Sequence, residues 1–237
     1  MHSIPLLHPV KEWKKTEIHD NGEKLVSTQS RGLNRVISKP QYKKMGIPGA
    51  LDEIYVRSGV VERLEEAAGQ LPNGYRLLVW DGWRPFKVQQ HIYESYLNQL
   101  VVEHPDWSEE RLHEGTRQFV SFPSDDHDTP APHITGGAVD LTIVDGIGVP
   151  LPMGTDFDDF SEQARTRFYE EKSEHGKLLD VENEYLANRR MLYQAMTSVG
   201  FTNYPEEWWH FDYGNQWWAK SSNQPAALYG LARLDSH

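Results

Sequence analysis

Apolar residues recur at helical spacing in four stretches of the chain, and most of these stretches are bounded by residues that favour a helix end. The spacing predicts helices over residues 58–71, 85–102, 108–120 and 182–199. Serine begins the first and third stretches, proline begins the second, and glycine follows the fourth. These helices account for much of the amphipathic sequence.

Shorter apolar runs predict strands at residues 75–80, 138–143 and 208–213. A turn after the second run leads to a hairpin partner at residues 149–151. Because helices alternate with these strands, the sequence predicts an α+β fold in which helices flank a small mixed or antiparallel sheet.

The chain has 237 residues, of which 38% are hydrophobic, and this is enough for one ordinary globular domain with its own core. We therefore expect a single domain in which an N-terminal segment, residues 1–31, wraps around a core at 32–214 that is followed by a polar tail at 215–237. Cysteine is absent, which excludes disulfides and thiolate metal sites.

The formal charge of −11 argues against partners that need a basic surface, so we expect neither nucleic acid nor an anionic membrane surface as a partner. The chain lacks a run of about eighteen apolar residues, which predicts no membrane insertion. Residues 1–30 lack the apolar stretch of a signal peptide, which predicts a cytoplasmic location. Arg189 and Arg190 lie amid Glu182 and Glu184 on a predicted helix, and we expect a salt-bridged helix face there.

Two short segments carry residue types that bind metals. The first contains His133 and Asp140, and the second contains His210. Two imidazoles and one carboxylate make a three-ligand zinc set that leaves a fourth coordination position open to water. Alternation along the predicted strand places Asp140 beside a core, where an ionised carboxylate is costly unless it is paired or binds a metal. The alternatives are a half-exposed aspartate on an edge strand and a salt bridge to an arginine.

The second segment fits such a site only if Glu207, the candidate general base, precedes the strand. A continuous strand from Glu207 would place Glu207 and His210 on opposite faces. Pro205 favours a turn at this point, because proline fixes its own φ and cannot donate to a ladder. The alternative is an aromatic core strand that contains a satisfied core histidine.

Arg84 follows a predicted strand and precedes a predicted helix. At such a junction an arginine can stabilise the negative charge that develops on a carbonyl oxygen under attack. An ion pair with Asp81 or Glu94 is the alternative. The acidic loop at residues 125–128 is expected to be solvated rather than to hold a second metal.

These segments resemble the VanX-like D-alanyl-D-alanine dipeptidase family, which is related to the D,D-carboxypeptidases. The family pattern Ser-x-His-x-x-Gly-x-Ala-x-Asp is matched by His133, Gly136, Ala138 and Asp140, and the pattern Glu-x-Trp-His by Glu207, Trp209 and His210. Residues 80–85 are similar to the family's Tyr-Asp-x-Tyr-Arg-Pro segment, and residues 153–158 to a family stretch that ends in an aspartate. The matching segments also occur in the family's order.

The resemblance implies a zinc metallopeptidase that hydrolyses the small dipeptide D-Ala-D-Ala. It also implies that the zinc site lies on the sheet, as in hedgehog-type proteins and D,D-peptidases. By this resemblance, His133, Asp140 and His210 bind one zinc ion per chain, and Glu207 is the general base. Arg84 faces the reacting carbonyl, and Asp158 contacts the free amine of the substrate.

One position departs from the family pattern: Ala131 stands where the family has a serine near the substrate. The metal chemistry does not need that hydroxyl, but recognition of the dipeptide's end groups is affected. The alternative is therefore a D,D- or L,D-carboxypeptidase that acts on longer peptidoglycan peptides. A non-catalytic, zinc-stabilised binding protein is a further alternative, against which the presence of both Glu207 and Arg84 argues.

Overall fold

The computed structural model describes residues 2–8, 10–29, 34–176 and 178–234. Within these ranges the strands are β1 (Leu25–Ser27), β2 (Val36–Ser38), β3 (Tyr55–Arg57), β4 (Arg76–Asp81), β5 (Ala138–Val144), β6 (Thr202–Asn203) and β7 (His210–Asp212). The helices are α1 (Gln41–Lys44), α2 (Ser58–Gln70), α3 (Phe86–Glu103), α4 (Glu109–Phe119), α5 (Phe168–His175), α6 (Asp180–Thr197) and α7 (Gln216–Ser221). The predicted boundary between residues 31 and 32, and residues 235–237 of the predicted tail, lie outside the described residues.

A mixed five-stranded sheet forms the centre of the fold. Its strand order is β2, β4, β5, β7, β6, in which β2 is parallel to β4 and the other neighbours are antiparallel. β1 and β3 form a separate antiparallel pair. The predicted α+β fold with a mixed sheet is therefore confirmed.

The central strand, β5, is buried along all seven of its residues. Val139, Leu141 and Ile143 belong to the main hydrophobic core, which they share with the apolar face of α2. The other face of the strand carries Asp140 and Thr142, which are also buried. The prediction that Asp140 lies beside a core is confirmed, and the alternative of a half-exposed aspartate on an edge strand is wrong.

The four predicted helices are present as α2, α3, α4 and α6, with small shifts at their ends. Ser108 caps α4 as its position predicts, because its hydroxyl accepts a hydrogen bond from the backbone N–H of Arg111. Pro85 immediately precedes α3 instead of forming its first residue. Among the residues that the structure describes, none of the helices is both long enough and apolar enough to cross a bilayer.

The prediction of a salt-bridged face on α6 is confirmed for Arg190 and Glu182, whose partners lie outside the helix, and is wrong for Arg189. Arg190 pairs with Glu170, while Glu182 pairs with Lys172. Arg189 is 1% exposed. Its guanidinium donates at 2.8 Å to three backbone carbonyls, those of Met153, Gln163 and Arg165. Both arginines bind groups outside α6, because the helix packs against α5 and the preceding loops rather than standing free in solvent.

The segments before β1 and after β7 contact each other. A β-bridge pairs Ile18 with Ala227, and the rings of Trp13 and Trp217 pack edge to face with centroids 6.0 Å apart. The side-chain amide of Gln216, at the start of α7, donates to the backbone carbonyls of the N-terminal segment. These contacts bring a 3₁₀ turn at Trp13–Lys15 against the part of the fold that carries the predicted site.

Candidate active site

The candidate metal ligands come from the two strands at the centre of the sheet and from the turn before β5. Asp140 and His210 are directly opposite each other in the antiparallel register of β5 and β7, so their side chains lie on the same face. His133 lies in a 3₁₀ turn, His133–Thr135. Gly136 ends that turn with φ at 73°, a conformation that glycine adopts without steric cost. The turn brings His133 back towards Asp140, as predicted.

These three side chains form a group that can hold a metal ion. One ligand atom from each of His133, Asp140 and His210 lies within 4.8 Å of the others, and all three residues are buried. Asp140 Oδ1 is 3.0 Å from His210 Nδ1, and Asp140 Oδ2 is 3.4 Å from His133 Nε2. Elsewhere in the described ranges, three His, Cys, Asp or Glu side chains do not converge in this way.

The remaining ring nitrogens of both histidines are held by protein acceptors. His133 Nδ1 donates to the carbonyl of Gly82 at 2.8 Å, and His210 Nε2 donates to Asp212 Oδ2 at 3.1 Å. Asn215 donates to the other oxygen of Asp212. These bonds fix both rings and leave His133 Nε2 and His210 Nδ1 as ligand atoms. Asp212 was not among the predicted site residues, although its position two residues after His210 on a strand places both on one face.

The charges in this group favour a bound cation. Burial would raise the pKa of Asp140, but the imidazoles of His133 and His210 hold it below its usual value. Burial would lower the pKa of His210, but the carboxylates of Asp212 and Asp140 raise it well above its usual value. The same carboxylates that attract a proton to this ring attract a metal ion in its place.

Glu207 lies in the turn before β7, as predicted. Its backbone N–H donates to the carbonyl of Tyr204, and the strand begins only at His210. Its carboxylate Oε2 is 3.8 Å from His210 Nδ1. Burial, together with the negative charges of Asp140 and Asp158, raises the pKa of Glu207 to about 8. A carboxylate thus lies beside the ligand group without belonging to it.

Arg84 is buried where β4 leads into α3. The register of β4 against β5 shifts between Val79 and Asp81, and this irregularity places Asp81 opposite Asp140. The guanidinium donates to Asp81 at 2.8 Å, to Gln89 at 2.7 Å, and to Tyr42 and Asp140 at 3.2 Å each. The ion pair with Asp81 that was the alternative prediction is therefore present, together with a second one to Asp140.

Asp158 has a left-handed backbone conformation, with φ at 57°. This region is uncommon for residues other than glycine, although aspartate tolerates it better than most. Its Oδ1 accepts a hydrogen bond from the Tyr42 hydroxyl at 3.3 Å. Burial and the charge of Asp140 raise the pKa of Asp158 to about 7, against the opposing effect of Arg84. Tyr42, which the sequence did not predict as a site residue, thus links Asp158 to Arg84.

All six site residues predicted from the sequence line one cavity of about 210 Å³, namely Arg84, His133, Asp140, Asp158, Glu207 and His210. Ala131 also lines it and is buried. Aromatic rings form much of the remaining wall, including Trp13, Tyr204 and Trp217. Lys14 and Arg117 also line it, and neither is predicted from the sequence.

The acidic loop at residues 125–128 lies apart from this cavity and is exposed. Asp126 Oδ1 accepts hydrogen bonds from the backbone N–H groups of Asp128 and Thr129, at 2.8 and 3.0 Å. Its carboxylate therefore orders its own loop, which is a common use of aspartate in turns. The prediction of a solvated loop is confirmed.

Comparison with known proteins identifies the family. The profile of the Peptidase M15 family, described as D-ala-D-ala dipeptidase, matches residues 52–226. The chain belongs to this family. The matched range contains all six predicted site residues, whereas Lys14 lies before it.

Individual relatives agree with this assignment. The D-alanyl-D-alanine dipeptidase of Synechocystis sp. is 31% identical over 229 residues, which cover 91% of this chain and 92% of that protein. The D-alanyl-D-alanine dipeptidase of Enterococcus faecalis is 28% identical over 139 residues, 58% of this chain and 62% of that protein. This chain is accordingly a peptidase.

A solved structure also matches over most of both chains. It is a point mutant of the vancomycin-resistance D,D-pentapeptidase VanY in complex with Zn(II), with a TM-score of 0.44, 16% identity, and coverage of 92% of this chain and 97% of that chain. The assignment to the family does not depend on this similarity.

Proposed function

We propose that this chain hydrolyses the dipeptide D-Ala-D-Ala to free D-alanine and uses one zinc ion to do so. The proposal is carried by the convergence of His133, Asp140 and His210 beside the carboxylate of Glu207 in one small cavity. The names of the relatives support the choice of substrate.

Zinc fits the donor set of this site. Two imidazole nitrogens and one carboxylate are ligands that catalytic zinc takes in proteins, and the set leaves a further coordination position for water or substrate. When bound, the ion supplies a Lewis acid that polarises the scissile carbonyl and lowers the pKa of a water molecule. The bonds from His133 to Gly82 and from His210 to Asp212 hold the two rings in the orientation that ligation needs.

Glu207 is the proposed general base. Its carboxylate is next to the ligand group, and burial raises its pKa above the usual range of a glutamate, which makes it a stronger base. Glu207 takes the proton from the attacking water and then transfers it to the leaving amine. This kind of proton transfer contributes a factor of roughly 10²–10⁴ to the rate.

Arg84 and Asp158 act on the substrate itself. Arg84 lines the cavity next to Asp140, where its positive charge stabilises the negative charge that develops on the carbonyl oxygen. Asp158 binds the free amine of the dipeptide, and Tyr42 holds the two groups in a fixed relation because it is hydrogen-bonded to both.

The size of the cavity favours a short substrate. Its volume of about 210 Å³ is below the roughly 300–1,000 Å³ of sites that take drug-sized ligands. Ala131, which lacks the family's hydroxyl, keeps carboxypeptidase action on longer peptidoglycan peptides as the second candidate. The dipeptidase requires a substrate with a free amine on the residue before the scissile bond, whereas the carboxypeptidase accepts a longer peptide at that position.

The decisive experiment measures release of D-alanine from D-Ala-D-Ala by the purified protein. We expect release that a zinc chelator abolishes and added zinc restores. We also expect that Glu207→Gln retains its zinc by elemental analysis but loses a factor of about 10²–10⁴ in kcat. Glu206→Gln is the matched control, because Glu206 is adjacent in sequence but does not line the active-site cavity.

Two results would contradict parts of the proposal. Near wild-type hydrolysis by Glu207→Gln would exclude Glu207 as the base. Release of D-alanine from a cell-wall pentapeptide but not from the dipeptide, by protein that contains zinc, would replace the dipeptidase with a carboxypeptidase.

A further inference from the structure

Two cations in the cavity wall have no role in the chemistry described above. Lys14 lies in the 3₁₀ turn at Trp13–Lys15 and is partly buried, and Arg117 lies in the last turn of α4. Within the described residues, neither side chain forms an ion pair with a carboxylate. Both nevertheless line the same cavity as the ligand group.

The charges of the two cations also influence each other. Burial lowers the pKa of Lys14, and the positive charge of Arg117 lowers it further. Two like charges in the wall of one cavity repel each other, and an anion bound in that cavity offsets the repulsion. Four carboxylates also line this cavity, at Asp140, Asp158, Glu207 and Asp212. Its third cation, Arg84, is already paired with Asp81 and Asp140. Lys14 and Arg117 are therefore the cations of the described wall that suit an anionic ligand.

The structure holds both cations in place through the backbone. Gln216 donates its side-chain amide to the carbonyl of Lys14 at 3.1 Å, and Arg117 Nε donates to the carbonyl of His113 at 3.2 Å. The hydroxyl of Tyr204 donates to the carbonyl of Gln118, next to Arg117, at 3.3 Å. The ring of Tyr204 packs in turn against His210, with centroids 5.9 Å apart.

The roles proposed so far leave one charged group of a bound dipeptide, its carboxylate, without a partner in the cavity. Under the proposed function, its amine contacts Asp158 and its scissile carbonyl lies at the ligand group, which leaves the carboxylate of the second residue. Arg84 already donates to four side chains, so it is poorly placed to serve that carboxylate as well. Ala131 offers no hydroxyl.

We infer that Lys14 and Arg117 bind the free carboxylate of the dipeptide's second residue. This inference rests on the proposed function, because it takes the dipeptide as the substrate. It adds substrate-binding residues outside the predicted site, one of them from a segment that precedes the family match at residue 52. It also gives the enzyme a basis for preferring a free carboxylate despite the missing serine hydroxyl.

The test compares D-Ala-D-Ala with D-alanyl-D-alaninamide, in which the carboxylate is replaced by a neutral amide. The variants are Lys14→Met, which keeps the apolar stem beside Trp13, Arg117→Gln, and the double variant. We expect each single substitution to raise KM for the free dipeptide about tenfold, with a smaller change in kcat, because a charge-assisted hydrogen bond is lost. KM for the amide should be high in the wild type and should not rise further in the variants.

Matched controls come from neighbouring cations that do not line the cavity. Lys15→Met removes the next residue of the same turn, and Arg111→Gln removes an arginine on α4 that stacks on Trp107. Both should leave KM for both substrates unchanged. Lys14→Arg and Arg117→Lys keep the positive charge and should therefore retain most of the affinity for the free dipeptide. The melting temperature of each variant reports whether it is folded.

The possible results separate this inference from the proposed function. A selective rise in KM for the free dipeptide supports the inference. Wild-type values of KM in a folded double variant would overturn it and leave the dipeptidase intact, as would an equal loss on both substrates. If the zinc-loaded wild type hydrolyses neither substrate, the proposed function fails and the inference fails with it.

Discussion

Two of the buried arginines in the described part of the chain, Arg84 and Arg189, have surroundings that differ in kind. Arg84 is surrounded by the carboxylates of Asp81 and Asp140 and by the Tyr42 hydroxyl, and it lines the active-site cavity. Among the described residues, Arg189 donates only to backbone carbonyls. It stacks on the rings of Tyr169 and Trp208 and does not line that cavity.

The difference shows in how each charge is stabilised. Burial alone would lower the pKa of Arg84, but Tyr42 and the carboxylates of Asp81 and Asp140 outweigh it and raise that pKa. For Arg189 burial also acts most strongly, but Tyr169 and Asp159 do not outweigh it, and the pKa is lowered. Carbonyl dipoles compensate the lost hydration less well than full charges do. Arg84 is thus a charge held among opposite charges at the active site, whereas Arg189 joins loop segments by binding their backbone carbonyls.

The largest effect that we expect from this comparison is on catalysis. Arg84→Lys keeps a positive charge near Asp140 but loses the rigid fork of donors that arginine offers. The expected result is a fall of about 10²-fold in kcat for D-Ala-D-Ala, with zinc content unchanged. Steady-state kinetics and elemental analysis check this, and a variant whose kcat stays within about twofold of the wild type would exclude a catalytic role for Arg84.

Arg189→Lys is the converse experiment, with an effect on stability. One ammonium group cannot donate to the three separate carbonyls of Met153, Gln163 and Arg165, and each buried carbonyl left without a donor costs about 1–3 kcal/mol. We expect the free energy of unfolding to fall by about 3 kcal/mol, as measured by denaturant titration. The zinc-loaded folded variant should retain most of its kcat, and a large loss of kcat without loss of stability would contradict the comparison.

The sequence predicts those parts of the site that depend on local pattern. Alternation along the strand places Asp140 beside the core, and Pro205 favours the turn that puts Glu207 before β7. The spacing of His133 and Asp140 around Gly136 is likewise local, because a tight turn joins them. The role of Asp158, by contrast, follows from the resemblance to the family and not from local pattern.

The parts that the sequence did not predict depend on contacts between distant segments. The pairing of Asp81 with Asp140 follows from an irregular register between β4 and β5, which neither strand's sequence specifies. The partners of Arg189 are backbone carbonyls, which have no side-chain signature. Lys14 reaches the cavity because Gln216, some 200 residues away, binds the backbone of its turn.

The smallest effect concerns Arg190, the neighbour of Arg189 on α6, which makes the carboxylate pairing that Arg189 lacks. Its guanidinium binds both oxygens of Glu170, at 2.7 and 2.6 Å, and the backbone N–H of Ile4 donates to the same carboxylate at 2.7 Å. We expect Glu170→Gln to lower the free energy of unfolding by about 1.5 kcal/mol at pH 7. Glu171→Gln, which removes a more exposed partner of Arg165, should cost about 0.5 kcal/mol.

The pH dependence of the stability difference between the wild type and Glu170→Gln shows whether the ion pair with Arg190 causes it. Burial would raise the pKa of Glu170, but the hydrogen bonds from Arg190 and Ile4 lower it below the value of about 4.3 expected in the unfolded chain. A carboxylate of this kind contributes stability above its unfolded pKa and loses that contribution as the pH falls through its folded pKa. The gap in stability between the wild type and Glu170→Gln should therefore close below about pH 4, since a protonated glutamate and a glutamine are both neutral. A gap that stays constant from pH 7 to pH 3 would show that side-chain shape, and not the ion pair with Arg190, accounts for the loss.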